Sequence, residues 1–90
     1  MKYEGIKYKK LNEYLLKLEN DKKTLTFADI EQIIETKLPD SAHKYNAYWA
    51  NVSHQYRQSG AWISAGWKVV KKDLDSKEIT FKRKDAVKRE

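Results

Sequence analysis

Residues 66–83 read GWKVVKKDLDSKEITFKR, and this stretch decides the fold class. In its first half Trp67 and Val69 alternate with Lys68, and in its second half Ile79 and Phe81 alternate with Thr80 and Lys82. Alternation with a period of two is typical of a β-strand that buries one face, and the polar DLDSK segment between the two runs is a turn signal. The stretch therefore predicts a C-terminal β-hairpin.

A helix and a short strand are expected at the start of the chain. The first helix would span about residues 8–19. Its apolar residues at helical spacing are Leu11, Leu15 and Leu18. Residues 20–23 are interpreted as a turn, and Thr24–Phe27 is a short segment with β propensity.

The second helix has a recognisable start. Thr26 is a candidate N-cap, Asp29 three residues later completes an approximate capping box, and Leu25 and Ile30 are placed for a hydrophobic staple. The apolar stripe of this helix would be Ile30, Ile33 and Ile34. We expect the helix to end at Leu38–Pro39, because a residue before proline disfavours the helical conformation.

Further helical segments precede the hairpin. A third helix is expected to start at Asp40 or Ser41. Its buried face would be Ala42, Tyr45, Trp49 and Val52. Residues 53–65 are compatible with a fourth helix that ends at Gly66 in the left-handed conformation. Gly60 costs such a helix about 1 kcal/mol relative to alanine, which leaves a break open.

The order of these elements predicts an α+β fold that is winged helix-turn-helix-like. In that fold one early strand joins a C-terminal hairpin, and the helix before the hairpin reads DNA. A small α+β fold of another topology would give the same order. We expect a single domain over residues 1–90, with an ordered core of about 8–83 and a charged tail at 85–90.

The charge distribution favours a polyanionic partner. The formal net charge is +6 and the isoelectric point is about 9.5. Residues 41–72 contain no Asp or Glu, yet they hold both histidines and all three tryptophans. Residues 11–40, in contrast, carry seven acids against four lysines. One part of the protein is thus expected to be acidic and another to be cationic and aromatic.

Several classes of protein are disfavoured by composition. The absence of cysteine excludes a disulfide scaffold, a thiolate zinc site and a cysteine nucleophile. No apolar run approaches the ~20 residues that span a bilayer, and the first ten residues lack the apolar region of a signal peptide. We therefore expect a cytoplasmic protein without a membrane partner.

Catalysis is also disfavoured. His43, His54, Tyr56 and Arg57 follow no spacing rule for acid–base cleavage of a phosphodiester. The sequence has no glycine-rich phosphate loop, nucleophile elbow or nucleotide fingerprint, and its acids and histidines show no metal-ligand spacing. We expect no enzyme activity, no cofactor and no metal site.

Short motifs carry a resemblance to a known family. They are Leu25-Thr26-Phe27 with Ile30-Glu31, Leu38-Pro39 with Ser41-Ala42, Trp49 with Asn51, Ala61-Trp62, Ala65-Gly66-Trp67 with Val69, and Ile79-Thr80-Phe81 with Arg83. In this combination, residues 8–83 resemble a family of small bacterial proteins that share a domain of unknown function. Tyr48-Trp49 stands where such sequences often have two tryptophans. The resemblance supports the domain boundary and implies no activity, ligand or catalytic residue.

The candidate nucleic-acid-binding residues come from residues 41–72 and from the hairpin. Asn and Gln can pair with adenine and Arg with guanine, so Arg57 is the expected contact to a base edge. Lys71 and Lys72, beside the hairpin turn, are the expected phosphate anchors. The full set of candidates is Lys44, Tyr48, Asn51, His54, Gln55, Arg57, Gln58, Trp62, Lys68, Lys71, Lys72 and Lys82.

Each candidate group has a purely structural alternative. The tryptophans either stack bases or form the core; we favour the core for Trp49 and Trp67 and leave Trp62 open. The polar residues 53–59 equally suit an ordinary solvated surface. The cations around the hairpin, Arg83 among them, equally suit a solubilising charge that protects an edge strand.

The function that these observations favour is nucleic-acid binding by a small, basic, non-catalytic domain, with double-stranded DNA as the expected partner. The alternative is a protein-binding inhibitor or adaptor, such as one that a phage or mobile element directs against a host nucleic-acid enzyme. Exposed aromatic residues and arginine also suit protein interfaces. Composition therefore favours neither partner decisively, and it leaves monomer and homodimer equally open.

Overall fold

The computed structural model describes residues 3–52 and 57–84, which form short helices and three strands. The elements in chain order are α1 (Lys9–Lys17), β1 (Lys22–Thr26), α2 (Phe27–Ile34), α3 (Asp40–Lys44), a 3₁₀ helix (Asn46–Trp49), α4 (Gln58–Ile63), β2 (Trp67–Asp73) and β3 (Glu78–Arg83). Within the described residues, no helix has the length and apolarity needed to cross a membrane. The predicted tail at 85–90 lies outside these residues.

The three strands form one antiparallel sheet in the order β1-β3-β2. Thr24 of β1 lies opposite Thr80 of β3, and Lys68 of β2 lies opposite Lys82 of β3. The predicted hairpin is confirmed, and the predicted N-terminal strand pairs with its second strand. The fold is therefore α+β, with the last strand of the chain at the centre of the sheet.

The core contains all three tryptophans. Trp49 stacks on Trp62 with ring centroids 5.9 Å apart, and Trp62 meets Phe81 edge-on at 5.6 Å. Each indole N–H donates to an acceptor inside the protein, namely Ala42 O, Asn51 Oδ1 and Leu15 O for Trp49, Trp62 and Trp67 respectively. The core assignment of Trp49 and Trp67 is confirmed, and Trp62 is buried with them.

The start of α2 agrees with the sequence and its end does not. Thr26 and Asp29 form the predicted capping box, with both hydrogen bonds at 3.0 Å. The predicted end at Leu38–Pro39 is wrong, because Glu35 adopts a left-handed φ of 62° and ends the helix earlier. The Glu31 carboxylate then accepts the Leu38 N–H at 2.8 Å and holds the following loop against the helix.

The third helix is shorter than predicted. It stops before Tyr45, which is extended, and the chain continues as the 3₁₀ helix. This break changes the helical phase. Ala42 and Trp49 are buried as predicted, but Tyr45 is 61% exposed and Val52 is 53% exposed.

The fourth helix begins later than predicted. Arg57 is extended, with φ −87° and ψ 165°, so α4 starts at Gln58. The predicted start at residues 53–56 lies outside the described residues. The helix passes through Gly60 without a break, and Gly66 has the predicted left-handed φ of 87°.

Candidate nucleic-acid interface

The described helices pack on one face of the sheet, and no described helix covers the other face, which we call the open face. Most side chains of the open face are exposed, whereas Thr80 in the central strand is buried. Trp67, Val69, Ile79 and Phe81 alternate along β2 and β3 and are all buried on the covered face. The residues between them point away from the helices, because successive side chains of a strand lie on opposite faces. The open face is therefore built mainly from polar residues, and the exposed apolar side chain of these strands is Val70, at the register shift of β2.

A row of three lysines crosses this open face. Lys22 of β1 lies opposite Lys82 of β3, and Lys82 lies opposite Lys68 of β2. Directly opposed residues share a face and hold their Cβ atoms about 4.5–5.5 Å apart. Three cations therefore follow one another across the full width of the sheet.

A second row lies beside the first. Thr24, Thr80 and Lys71 are opposed across the three strands, and the two threonine hydroxyls form a hydrogen bond of 2.8 Å. Lys71 reaches the open face because the register of β2 shifts by one residue after Val69. We call the cations of this surface the lysine face. Its members are Lys22, Lys68, Lys71 and Lys82.

No lysine of this face forms a side-chain ion pair among residues 3–52 and 57–84. Lys71 lies near Asp73, where hydrogen bonds with Ser76 lower the pKa of the Asp73 carboxyl and the charge of Lys71 adds to this effect. The side-chain ion pairs within that part of the chain are Lys10–Glu35 at 2.7 Å and Arg83–Asp21 at 3.5 Å. The acids of the two hairpin strands, Asp73 and Glu78, oppose each other at the turn. At about 3.3 Å per residue they lie about 13 Å or more along the strands from the lysine row. The positive charge of the row is thus not neutralised within the described protein.

Lys22 is a member of the row that the sequence does not indicate. It lies in the segment predicted as a turn, and its place in the row depends on pairing with a strand sixty residues later. The β propensity of Thr24–Phe27 is the signal that could have indicated it, if the predicted strand is extended by two residues towards the N-terminus.

Arg83, which the sequence groups with the hairpin cations, has a structural role. Its Nη2 donates to the carbonyl oxygens of Leu18 at 2.6 Å and Asn20 at 2.9 Å. Its Nε lies 3.5 Å from the Asp21 carboxylate, and the guanidinium lies 4.7 Å from the centre of the Trp67 ring. Arg83 therefore fastens the end of α1 to the sheet.

Asn51 closes the edge of β2. Its Nδ2 donates to Val69 O at 2.9 Å, and its Oδ1 accepts the N–H of Val69 at 2.8 Å and the indole N–H of Trp62 at 2.9 Å. The amide thus takes the place of a peptide group of a neighbouring strand. Asn51 and Trp62 are both candidates for contacts with bases. The indole of Trp62 is buried, and Asn51 is exposed but its side-chain amide already forms these hydrogen bonds within the protein.

The helix before the hairpin is packed into the protein. The buried residues of α4 are Ser59, Gly60, Ala61 and Trp62. Asn12 of α1 donates to Ala61 O at 2.8 Å, and Gln58 donates through Nε2 to Tyr48 O at 2.8 Å. Four of the six residues of α4 are buried, so this helix offers little surface for the predicted contact with bases.

Tyr48 is half-buried and joined to the N-terminal segment. Its hydroxyl forms a hydrogen bond with the hydroxyl of Tyr8. Burial is the main cause that raises the pKa of both phenols above the ordinary value of 10.0. Both side chains are therefore neutral at physiological pH, and the Tyr48 hydroxyl is occupied by its hydrogen bond with Tyr8.

The remaining candidates do not join the lysine face. Lys44 and Arg57 are exposed but belong to the helical layer. Lys72 lies opposite Ile79, on the helical side of β2, with its Nζ 3.4 Å from Asn46 O. Lys71 and Lys72, expected to act as one pair of anchors, therefore point to opposite faces. The candidates His54 and Gln55 lie outside the described residues.

Comparison with known proteins gives the family of the chain. The model of a domain of unknown function, DUF7662, matches residues 8–85. No curated protein and no solved structure matches the chain. Because the match covers nearly all of the sequence, the chain belongs to the DUF7662 family.

Proposed function

We propose that this domain binds nucleic acid through the lysine face and holds the phosphate backbone of a duplex, with DNA as the favoured partner. The observation that carries the proposal is the row Lys22–Lys82–Lys68. Lysines that neutralise phosphates release condensed counterions, and this release supplies most of the affinity of sequence-independent binding.

Protection of the sheet edges does not account for the row. Lysine on an edge strand discourages pairing with another chain, which would explain Lys22 and Lys68. Lys82, however, lies in the central strand, whose two edges are both paired. Like charges placed directly opposite each other also destabilise a sheet. A bound polyanion would turn this cost into binding free energy.

The chemistry of the open face favours phosphate over bases. Single-stranded nucleic acid is usually held by aromatic rings on which bases stack. The aromatic residues of the described strands are Trp67 and Phe81, and both lie on the covered, buried face. The hydroxyls of Thr24 and Thr80 bond to each other. Flexible cations remain, and these suit backbone contacts that carry no sequence information.

The topology supports a winged-helix-like scaffold as part of this proposal. The element order, with a strand between the first two helices and a C-terminal hairpin, is that of a winged helix, and the strand order β1-β3-β2 is compatible with it. The buried α4 departs from an exposed reading helix. We therefore assign the nucleic-acid contact to the sheet rather than to α4.

Titration of the purified protein against duplex DNA tests the proposal. Four phosphate contacts would give a slope of about −3.6 in a plot of log affinity against log salt concentration. A duplex of about 20 base pairs and a second duplex with the same bases in scrambled order should bind equally. Single strands of the same length should bind more weakly. Absence of duplex binding at low micromolar protein and about 50 mM salt, where non-specific binders respond, would refute it.

A further inference from the structure

The outer edge of β1 is not paired within the described protein, because β1 neighbours only β3. Two backbone hydrogen bonds fix which residues face this edge. The Arg83 N–H donates to Asp21 O at 2.8 Å, and the Phe27 N–H donates to Lys77 O at 2.9 Å. Hydrogen-bonded and non-hydrogen-bonded pairs alternate in an antiparallel ladder. The odd-numbered residues of β1 therefore bond to β3.

The even-numbered residues direct their backbone groups to the free edge. These residues are Lys22, Thr24 and Thr26. The N–H of Thr26 is taken by the Asp29 carboxylate at 3.0 Å. The N–H and C=O of Thr24 have no such partner within the described residues. Thr24 thus offers one donor and one acceptor at the centre of an open strand edge.

A groove of about 350 Å³ lies beside this edge. Its apolar lining comes from Tyr14 of α1, Leu25 of β1 and Ile33 of α2. Its charged lining comes from Lys23 at the N-terminal end of the edge and Asp29 at the other end. The free backbone groups of Thr24 therefore lie next to an apolar groove that has a positive charge at one end and a negative charge at the other.

We propose that this edge binds an extended peptide segment of a partner protein, which adds to the sheet as a fourth strand antiparallel to β1. The peptide residue opposite Thr24 would exchange two backbone hydrogen bonds with it. The residues before and after it would turn towards the groove, opposite Leu25 and Lys23 respectively. An apolar side chain suits the first position and an acidic one the second, which gives the pattern apolar, any residue, acidic.

The charges favour such a partner over a second copy of this chain. In a symmetric antiparallel pair centred on Thr24, Lys23 of one copy would lie opposite Leu25 of the other. The ammonium group would then meet an apolar side chain instead of a carboxylate. This inference uses a different surface from the lysine face and does not depend on the proposed function.

Titration with a capped peptide, Ser-Thr-Ile-Thr-Glu-Thr-Ser, followed by amide NMR spectra, tests the inference. The Thr24 amide should shift and become protected from hydrogen exchange, while the amides of Lys23 and Leu25 are protected already in the free protein. No shift at Thr24 with millimolar peptide overturns the proposal. Shifts along β1 that depend on protein concentration without peptide would indicate self-association, and they overturn it as well.

Two substitutions of Thr24 isolate the backbone contact. Thr24→Pro removes the N–H from a free edge, where proline is tolerated, and should weaken peptide binding by about threefold to tenfold. Thr24→Val is the matched control, since it also loses the hydroxyl but keeps the N–H, and should bind as the unmodified protein does. Equal binding by the two variants overturns the proposal.

A charge exchange at Lys23 tests the acidic position without altering the backbone. Lys23→Glu should lower the affinity for the glutamate peptide by about threefold, which is typical of one exposed ion pair. The same variant should bind a peptide with lysine in place of the glutamate more tightly than the unmodified protein does. If both protein forms bind both peptides equally, the assignment of an acidic partner is overturned.

Discussion

The side-chain amide of Asn51 exchanges two hydrogen bonds with the backbone of Val69, at 2.9 and 2.8 Å, and ends the sheet at β2. The same oxygen accepts the indole N–H of Trp62, which is otherwise surrounded by the core. One side chain thus satisfies polar groups from the edge strand and from the centre of the protein.

Asn51→Ala should lower the free energy of unfolding by about 2–4 kcal/mol, because it leaves the buried Trp62 N–H and a strand edge without partners. Urea unfolding measures this change. At temperatures where the variant is folded, its affinity for duplex DNA should be unchanged. Loss of affinity without loss of stability would instead indicate that Asn51 contacts a base.

Tyr8 and Tyr48 predict a loss of stability at high pH. Burial raises the pKa of both phenols in the folded protein above 10.0, so the unfolded chain ionises first. Their contribution is complete below about pH 10 and declines as the pH rises further, because the unfolded state then releases protons that the folded state retains. Urea unfolding between about pH 8 and about pH 11 should show this decline, and Tyr8→Phe should make it shallower. The same slope in both proteins would contradict the burial of Tyr8.

Lys82 should favour binding at the expense of stability. Lys82→Gln removes two directly opposed like-charge pairs and should raise the free energy of unfolding by about 0.3–1 kcal/mol. The same change should weaken duplex binding and reduce the salt slope by about 0.9. Urea unfolding and DNA titration on one sample measure both effects. A variant that is less stable and binds unchanged would show that Lys82 is structural.

A substitution of Arg57 distinguishes DNA binding by the sheet from sequence recognition by the helical layer. Arg57 is exposed at the start of α4, apart from the lysine face. If the sheet makes the contacts, Arg57→Ala should reduce the affinity for matched and scrambled duplexes equally. The loss should be no larger than the loss of one phosphate contact would cause. A loss of about 1–3 kcal/mol confined to a preferred sequence would place a base-reading contact at Arg57.

The features that the sequence predicts well are local. The alternation around Trp67 and Phe81 predicts the hairpin, and the spacing of Thr26 and Asp29 predicts the start of α2, because neighbouring residues settle both. The core position of Trp67 follows from the same alternation, whereas that of Trp49 is predicted from a helical spacing that the break at Tyr45 interrupts.

The features that sequence analysis misses depend on pairing between distant residues. Lys22 joins the lysine row only because β1 pairs with β3. The separation of Lys71 from Lys72 follows the register, and the occupied amide of Asn51 follows the approach of its loop to β2. The break at Tyr45, which exposes it and Val52, also has no signal as clear as a proline or glycine.

Two triple variants of equal net charge separate binding through the lysine face from binding that depends on total charge alone. The first carries Lys22→Ala, Lys68→Ala and Lys82→Ala. The control carries three exposed lysines from outside the sheet changed in the same way, Lys9→Ala, Lys17→Ala and Lys37→Ala. Each variant lowers the formal net charge from +6 to +3, since three lysines are removed.

Both variants are titrated with the same duplex DNA between about 50 and about 200 mM salt, where counterion release dominates the affinity. We expect the salt slope of the first variant to be smaller in magnitude by about 2.7 and most of its affinity to be lost, while the control keeps a slope close to that of the unmodified protein. Equal losses in the two variants would show that total charge determines binding and would contradict a role of the lysine face.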